Sequence, residues 1–213
     1  MTVWAIVPVK PPHAAKTRLA SVLSPHERAT LARRLLADTL AATLACHALA
    51  GTIVVGGDQA LRAAATRSGA WAYPDPLEDG RDALNAAVAH GCRRATERGA
   101  TAALILPADL PLLAPDVIAR FLREAGDASV AIAPDRAGAG TNALLLRPPS
   151  VLAPAFGPDS RARHQERARM HGLEIAVVYL PELSRDLDTP DDLALLGSFY
   201  ATSPTAPVGA AHV

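Results

Sequence analysis

The segment Ala102-Ala-Leu-Ile-Leu-Pro-Ala-Asp-Leu-Pro111 decides the fold, because it contains an apolar strand and the turn that ends it. Five apolar residues in a row, closed by Pro107, predict a strand buried on both faces in the middle of a parallel sheet. Asp109 follows this strand directly and lies between two prolines. Ligands of open α/β sheets bind beyond the carboxyl ends of the strands, so Asp109 is a candidate metal ligand. The alternative is a structural aspartate in a proline-bounded turn.

Strand and helix patterns alternate along the chain on both sides of this segment. We predict strands at 3–9, 52–55, 70–73, 102–106, 129–133, 142–146 and 173–180, and an extended segment at 183–188. We predict helices from the Ser24 capping box to about His47, at 59–67, 83–98, 115–126 and 160–172, and from Thr189 onward. This alternation predicts a doubly wound α/β sheet. Residues 1–200 are expected to form one domain, and the composition of 201–213 predicts a disordered tail.

The composition excludes several classes of protein. The 21 basic and 21 acidic residues cancel, and no basic face or aromatic platform indicates nucleic-acid binding. No apolar run approaches the length that spans a bilayer, and the first residues do not resemble a signal peptide, so a cytoplasmic protein is expected. Cys46 and Cys92 have no metal-ligand or redox spacing and are predicted to be buried free thiols.

The loop after the first strand concentrates an unusual type of charge. Nineteen of the 21 basic residues are arginine, and both lysines, Lys10 and Lys16, lie in this loop beside Arg18. Three cations this close repel one another unless an anion or an acidic group separates them. A triphosphate would do so, which makes the three residues candidates for nucleotide binding. The alternative is a solvated basic loop.

Asp186-Leu187-Asp188, near the end of the chain, places two acids in an extended segment. Side chains alternate between faces in extended chain, so both carboxylates are expected on one face with Leu187 turned into the core. Carboxylate oxygens are the ligands that Mg²⁺ prefers. With Asp109 they form a candidate Mg²⁺ site. Thr189 already supplies a cap for the last helix, which weakens the alternative that Asp188 is a capping residue.

Two glycine-containing segments have the composition of anion sites. Gly138-Ala-Gly-Thr-Asn142 offers backbone N–H groups and a hydroxyl, and Gly157-Pro-Asp-Ser160 precedes a helix whose N-terminus favours a phosphate or carboxylate. The alternative for each is an ordinary glycine turn. His164 follows closely enough to approach a bound acid, but we expect it to occupy a surface position on the helix.

Taken together, these motifs resemble one family, that of the phosphoenolpyruvate / 2-phospho-L-lactate guanylyltransferases, which make a precursor of coenzyme F420. The resemblance covers roughly residues 3–198 and rests on Val7-Pro-Val-Lys10, Ala15-Lys-Thr-Arg-Leu19, Pro107-Ala-Asp-Leu-Pro111, Gly140-Thr-Asn142, Phe156-Gly-Pro-Asp-Ser160 and Asp186-Leu-Asp-Thr-Pro190. It implies a three-layer α/β/α fold like that of the nucleotide-diphospho-sugar transferases, with a mixed, mostly parallel central sheet. One departure is that Lys10-Pro-Pro-His replaces the glycine-rich loop usual after the first strand in the wider superfamily.

The resemblance also implies a set of site residues. The metal-binding acids would be Asp109, Asp186 and Asp188, holding Mg²⁺. The phosphoenolpyruvate contacts would be Thr141, Gly157 and Ser160.

The leading hypothesis is therefore transfer of GMP from GTP to phosphoenolpyruvate in coenzyme F420 biosynthesis, giving enolpyruvyl-diphosphoguanosine and pyrophosphate. Lys10, Lys16 and Arg18 would stabilise the charge on pyrophosphate, and Asn85 and the Gly80-Arg81 turn are further candidates for nucleotide contacts. Other acceptors remain open, namely 2-phospho-L-lactate, 3-phosphoglycerate, a sugar phosphate or the molybdenum cofactor. So does a non-catalytic nucleotide-sensing module on the same fold. Exposed leucines and alanines on the helices are compatible with a homodimer.

Overall fold

The computed structural model of the chain describes residues 1–76 and 82–201. Its strands are β1 (Val3–Val9), β2 (Gly51–Gly56), β3 (Trp71–Tyr73), β4 (Ala102–Ile105), β5 (Val130–Pro134), β6 (Thr141–Leu146) and β7 (Ile175–Val177). Its helices are α1 (Pro25–Ala45), α2 (Gln59–Arg67), α3 (Ala83–Thr96), α4 (Pro115–Glu124), α5 (Ser160–Met170) and α6 (Pro190–Ala201). The predicted tail and the Gly80-Arg81 turn lie outside the described residues, apart from Ala201, which ends α6.

The seven strands form one sheet in the order β3-β2-β1-β4-β6-β5-β7. Strand β4 lies at its centre, as predicted, paired in parallel with β1 and antiparallel with β6. Strand β6 is antiparallel to both of its neighbours, and the other pairs are parallel, which confirms a mixed, mostly parallel sheet. Because Ile105 pairs with Leu144, the start of β6 at Thr141 extends past the end of β4. The N-terminal end of β6 therefore lies at the edge of the sheet where the parallel strands have their C-terminal ends.

Helices cover both faces of the sheet, since neighbouring strand residues point to opposite sides. Ile6 and Ile53 pack with residues of α3, and Val7 and Val54 pack with α1 and α2. Helix α4 contributes Phe121 to the core on the same side as α1. The result is the three-layer arrangement implied by the sequence. None of the helices in the described ranges has the length and apolar character needed to cross a membrane.

The predicted start of α1 carries the expected cap, whereas Asp82, predicted to cap α3, makes no capping hydrogen bond with its side chain. At the start of α1, Ser24 and Glu27 form a capping box, in which each side chain accepts from the other's backbone N–H. The loop before it differs from the prediction, because it folds into two short 3₁₀ turns at Pro12–Ala14 and Thr17–Leu19. Lys16 joins these turns in the left-handed backbone conformation, with φ of 55°. Cys46 and Cys92 are buried and free, as predicted, and burial raises the pKa of the Cys92 thiol to about 12.

A small apolar cluster lies apart from the main core. It consists of buried Leu19, Leu187 and Leu196, with Leu23, Leu31, Leu112 and Leu193 packed against it. We call it the Leu187 cluster. It joins the turn after Lys16, the chain between the two late acids and helix α6.

Candidate active site

The Asp109 turn and the Asp186–Asp188 segment are joined through their backbones. The N–H of Leu187 donates to the carbonyl oxygen of Asp109 over 3.0 Å. Leu187 is buried, which confirms the prediction that the two acids flank a residue of the core. This backbone hydrogen bond helps to hold three aspartates from distant parts of the sequence at the same edge of the sheet.

Lys16 lies between two of these aspartates. Its ammonium nitrogen is 3.2 Å from Asp109 Oδ2 and 2.9 Å from Asp188 Oδ1. Only 7% of the Lys16 side chain is exposed, against 26% and 32% for Asp109 and Asp188. Burial alone would lower the pKa of the Lys16 ammonium, but the two carboxylates outweigh it and raise that pKa above its ordinary value. Lys16 is therefore a fixed positive charge and not a proton acceptor.

The third aspartate is not paired in this way. Burial raises the pKa of the Asp186 carboxyl, the nearby Asp109 carboxylate raises it further, and a hydrogen bond from the Asn142 side chain partly offsets the shift. Asp186 has no ion-pair partner among the described residues. In residues 1–76 and 82–201, no three His, Cys, Asp or Glu side chains converge at metal-binding distance. The Asp109 and Asp188 carboxylates are near enough to raise the pKa of Asp186, but the three acids do not form a ready metal cluster among the described residues, and the assignment of Mg²⁺ to them stays a prediction.

Asp188 is not a helix cap. Thr189 and Asp192 cap α6: the Asp192 N–H donates to Thr189 Oγ1 over 3.3 Å, and Asp192 Oδ2 accepts from the Thr189 N–H over 2.8 Å. The Asp188 carboxylate instead faces Lys16 on one side and Arg18 on the other, at 3.6 Å. The Arg18 side chain is 74% exposed. Its charge is therefore free to turn toward an anion.

Two clefts meet at Asp188. The larger, of about 370 Å³, is lined by Lys10, Lys16, Asp109 and a group of apolar side chains. The smaller, of about 160 Å³, is lined by Arg18, Asp186 and neighbouring polar residues, and Asp188 lines both. The three predicted cations are thus divided between two clefts, and the buried Lys16 contacts Asp188, which both clefts share.

The predicted acceptor contacts form a second group. Ser160 Oγ donates to Thr141 Oγ1 over 3.1 Å, and both side chains are buried. Gly157 has φ of 123°, a conformation that residues with a Cβ rarely adopt, so glycine is required there. The two predicted anion segments also touch, because the Arg161 N–H donates to the carbonyl of Ala139 over 3.0 Å. That bond occupies one of the N–H groups that the sequence predicted to be free at the start of α5.

This second group lies outside the lining of both clefts. The side chain of Asn142, next to Thr141, donates to the carbonyl of Leu183 over 2.9 Å, three residues before Asp186 in the chain. Asn85, predicted as a nucleotide contact, instead holds the backbone of Phe156. Its Oδ1 accepts from the Phe156 N–H over 2.7 Å, and its Nδ2 donates to the Phe156 carbonyl over 3.1 Å. A direct contact of Asn85 with substrate stays a prediction.

The structure overturns the expectation for His164. His164 was expected on the surface of its helix, and it is 0% exposed. The cause is that α5 turns one narrow face inward, and its buried residues are Ser160, His164 and Ala168. The four-residue spacing was visible in the sequence, but the surrounding arginines make the helix so polar that it carries no apolar stripe. Asp75, which lines the larger cleft, was also missed, because no motif surrounds it.

Comparisons with known proteins identify relatives of this chain. Residues 3–198 match the family model described as "Guanylyl transferase CofC like". The phosphoenolpyruvate guanylyltransferase of Rubrobacter xylanophilus is 44% identical over 210 residues, which are 92% of this chain and 94% of that protein. The corresponding protein of Sphaerobacter thermophilus is 40% identical over 99% of this chain and 97% of its own.

Solved structures show the same fold at low sequence identity. A nucleotidyl transferase from Methanothermobacter thermautotroptrophicus superposes with a TM-score of 0.70 at 18% identity, covering 95% of this chain and 99% of its own. A 4-diphosphocytidyl-2C-methyl-D-erythritol synthase superposes with a TM-score of 0.63 at 15% identity, covering 93% and 99%. The fold, the matched family model and the two relatives lead to one conclusion: this chain belongs to the CofC-like guanylyltransferase family.

Proposed function

We propose that this chain transfers GMP from GTP to phosphoenolpyruvate, as a step of coenzyme F420 biosynthesis. The observation that carries the proposal is the buried Lys16 ammonium held between Asp109 and Asp188 where two clefts meet. The names of the relatives from Rubrobacter and Sphaerobacter support phosphoenolpyruvate as acceptor.

In the proposed reaction, a phosphate oxygen of phosphoenolpyruvate attacks the α-phosphorus of GTP. The bond from that phosphorus to the oxygen bridging to the β-phosphate breaks, and pyrophosphate leaves. The attacking phosphate is already ionised near neutral pH, so no general base is required. The protein has instead to bring two anions together, and positioning and charge neutralisation supply most of the rate.

The larger cleft suits the nucleotide. Leu36, Leu61 and Leu84 provide apolar surface for a base, and Lys10 and Lys16 provide positive charge for phosphates. Lys16 stays protonated, because Asp109 and Asp188 raise its pKa, so it can stabilise charge that develops on the leaving pyrophosphate. Lys10 and Arg18, from the same loop, would add to this from either side of Asp188.

The acids fit a magnesium ion by the chemistry of their oxygens. Three partly buried carboxylates repel one another, and Asp186 has no cationic partner among the described residues. Asp109, Asp186 and Asp188 would hold Mg²⁺, which when bound would neutralise phosphate charge and polarise the α-phosphoryl group. Thr141, Gly157 and Ser160 would hold the carboxylate or phosphate of the acceptor.

The acceptor is tested with a panel at fixed GTP and Mg²⁺. Phosphoenolpyruvate, 2-phospho-L-lactate, 3-phosphoglycerate and a sugar phosphate are compared by pyrophosphate release, with the product identified by mass. We expect phosphoenolpyruvate to give the highest kcat/KM and a product with the mass of enolpyruvyl-diphosphoguanosine. A faster reaction with another acceptor would contradict the assignment. GTP binding without turnover of any acceptor would favour a nucleotide-sensing module.

We expect Asp75 to recognise the guanine base of GTP by hydrogen bonding. It is the acidic side chain of the larger cleft that lies away from Lys16, and burial raises the pKa of its carboxyl. A carboxylate can accept from the two adjacent N–H donors of guanine, whereas adenine presents one donor and one acceptor there. Asp75→Asn should therefore lower the ratio of kcat/KM for GTP to that for ATP by roughly 10- to 100-fold. The measurement is pyrophosphate release with each nucleotide. An unchanged ratio would exclude Asp75 from base recognition, and the exposed substitution Glu124→Gln controls for loss of one negative charge.

A further inference from the structure

His164 has only one arrangement of its ring proton that satisfies its neighbours. Nε2 lies 2.9 Å from the backbone nitrogen of Ala155, whose N–H can only donate. Nε2 is therefore the unprotonated nitrogen. Burial, together with the charges of Arg167 and Arg163, lowers the pKa of the His164 imidazole to about 4, so the ring is neutral near pH 7. A neutral ring that accepts at Nε2 carries its proton on Nδ1.

This proton decides what the Thr141 hydroxyl can do. Nδ1 lies 3.2 Å from Thr141 Oγ1. Thr141 Oγ1 therefore faces a donor at His164, and it accepts a second hydrogen bond from Ser160 Oγ over 3.1 Å. A hydroxyl has two acceptor sites and one proton. With both acceptor sites engaged inside the protein, Thr141 keeps only its proton for a ligand.

We propose that His164 is a positioning residue that fixes the Thr141 hydroxyl as a hydrogen-bond donor to the acidic acceptor substrate. The inference rests on the proposed function, in which Thr141 contacts that substrate. A carboxylate or phosphate offers only lone pairs, so a hydroxyl locked as a donor matches it without reorganisation on binding. An unlocked hydroxyl would have to break an internal hydrogen bond first.

The same ring also fixes the loop that carries Gly157. His164 Nε2 holds the Ala155 N–H, while Asn85 holds both backbone groups of the next residue, Phe156. The Phe156 ring packs edge-on against the imidazole, with ring centroids 5.1 Å apart. The loop is thus held on both sides, and His164 sets the spacing between Gly157 and Thr141.

The protonation pattern is tested directly in the wild-type protein. ¹⁵N chemical shifts of the histidine ring nitrogens at pH 7 distinguish the Nδ1-protonated form from the Nε2-protonated form. We expect the signal assigned to His164, identified by its loss in a variant, to show a protonated Nδ1. A protonated Nε2, or a doubly protonated ring, would overturn the inference whatever the activity of the protein.

Three substitutions separate the two hydrogen bonds of the ring. The amide nitrogen of His164→Asn can take the place of Nδ1 and donate to Thr141, the amide of His164→Gln reaches the place of Nε2, and His164→Leu removes both. We expect the KM for phosphoenolpyruvate to rise roughly tenfold in the Gln and Leu variants and markedly less in the Asn variant. The KM for GTP should stay within about twofold in all three, since the network lies away from the nucleotide cleft.

The outcomes distinguish this inference from the proposed function. Equal increases in both KM values, or an Asn variant no better than the Gln variant, would show a merely structural role and overturn the inference. Thermal melting identifies variants that fail to fold, and the ¹⁵N measurement on the wild type then decides. A wild type that does not use phosphoenolpyruvate contradicts the proposed function, while the ring protonation still tests what His164 does to Thr141.

Discussion

Asp109→Asn is expected to lower kcat/KM for GMP transfer by roughly 10²- to 10³-fold, the cost of removing one preorganised electrostatic group from an active site. Asparagine keeps the size of the side chain and the backbone carbonyl that accepts from Leu187, so the fold of the acid-bearing segment should survive. What is lost is the carboxylate that contacts Lys16 and that we assign to Mg²⁺. Pyrophosphate release measures the activity, and titration calorimetry with Mg²⁺ and a non-hydrolysable GTP analogue measures the metal.

The matched control is Asp116→Asn, seven residues further along the chain on the exposed first turn of α4. It removes the same charge from the same region and should leave kcat/KM within about twofold. An Asp109→Asn enzyme as active as the control would remove Asp109 from the mechanism. If Asp109→Asn loses activity but binds Mg²⁺ as tightly as the wild type, Asp109 is a catalytic group and not a metal ligand.

The second large effect on activity is expected from the substitution Lys16→Met. Methionine fills a similar volume without the charge, so we expect kcat to fall by roughly 10²-fold or more, because growing charge on the leaving pyrophosphate is no longer neutralised. The free energy of unfolding should also fall, by about 1–2 kcal/mol, since Asp109 and Asp188 lose a shared partner but still reach solvent. Denaturant titration without divalent ions measures this loss.

Mg²⁺ provides a further comparison for this variant. If the ammonium and the metal neutralise the same carboxylates, Mg²⁺ should raise the Tm of Lys16→Met more than that of the wild type. Arg33→Met, which removes one positive charge from the exposed face of α1, controls for net charge and should respond to Mg²⁺ as the wild type does. Equal Tm shifts in all three proteins would contradict a magnesium site at these acids.

Local patterns in the sequence predicted most of the fold. The capping residues Ser24 and Thr189 located the starts of α1 and α6, because a cap is decided within four residues. The weak strands were harder: 173–180 was predicted as one strand, and only Ile175–Val177 pairs with a neighbour. The alternation around Leu187 correctly placed Asp186 and Asp188, since the period of two is local as well.

Interactions between distant residues were beyond these patterns. Lys16 and Asp109 are 93 residues apart, and nothing in either loop shows that the ammonium is buried between two carboxylates. His164 was misplaced for a related reason. Its burial depends on contacts with Thr141, at the start of β6, and with Ala155, and neither contact is visible in the sequence of α5.

The Leu187 cluster ties the charged loops to one another. Leu19 follows Lys16 by three residues, Leu112 follows Asp109 by three, and Leu187 separates Asp186 from Asp188. Lys16 and the three acids are therefore all attached to chain segments that pack in the same apolar cluster. If these loops shift when substrates bind or leave, the cation and the acids should move together. The distances between their charges would then stay nearly constant while the width of the clefts changes.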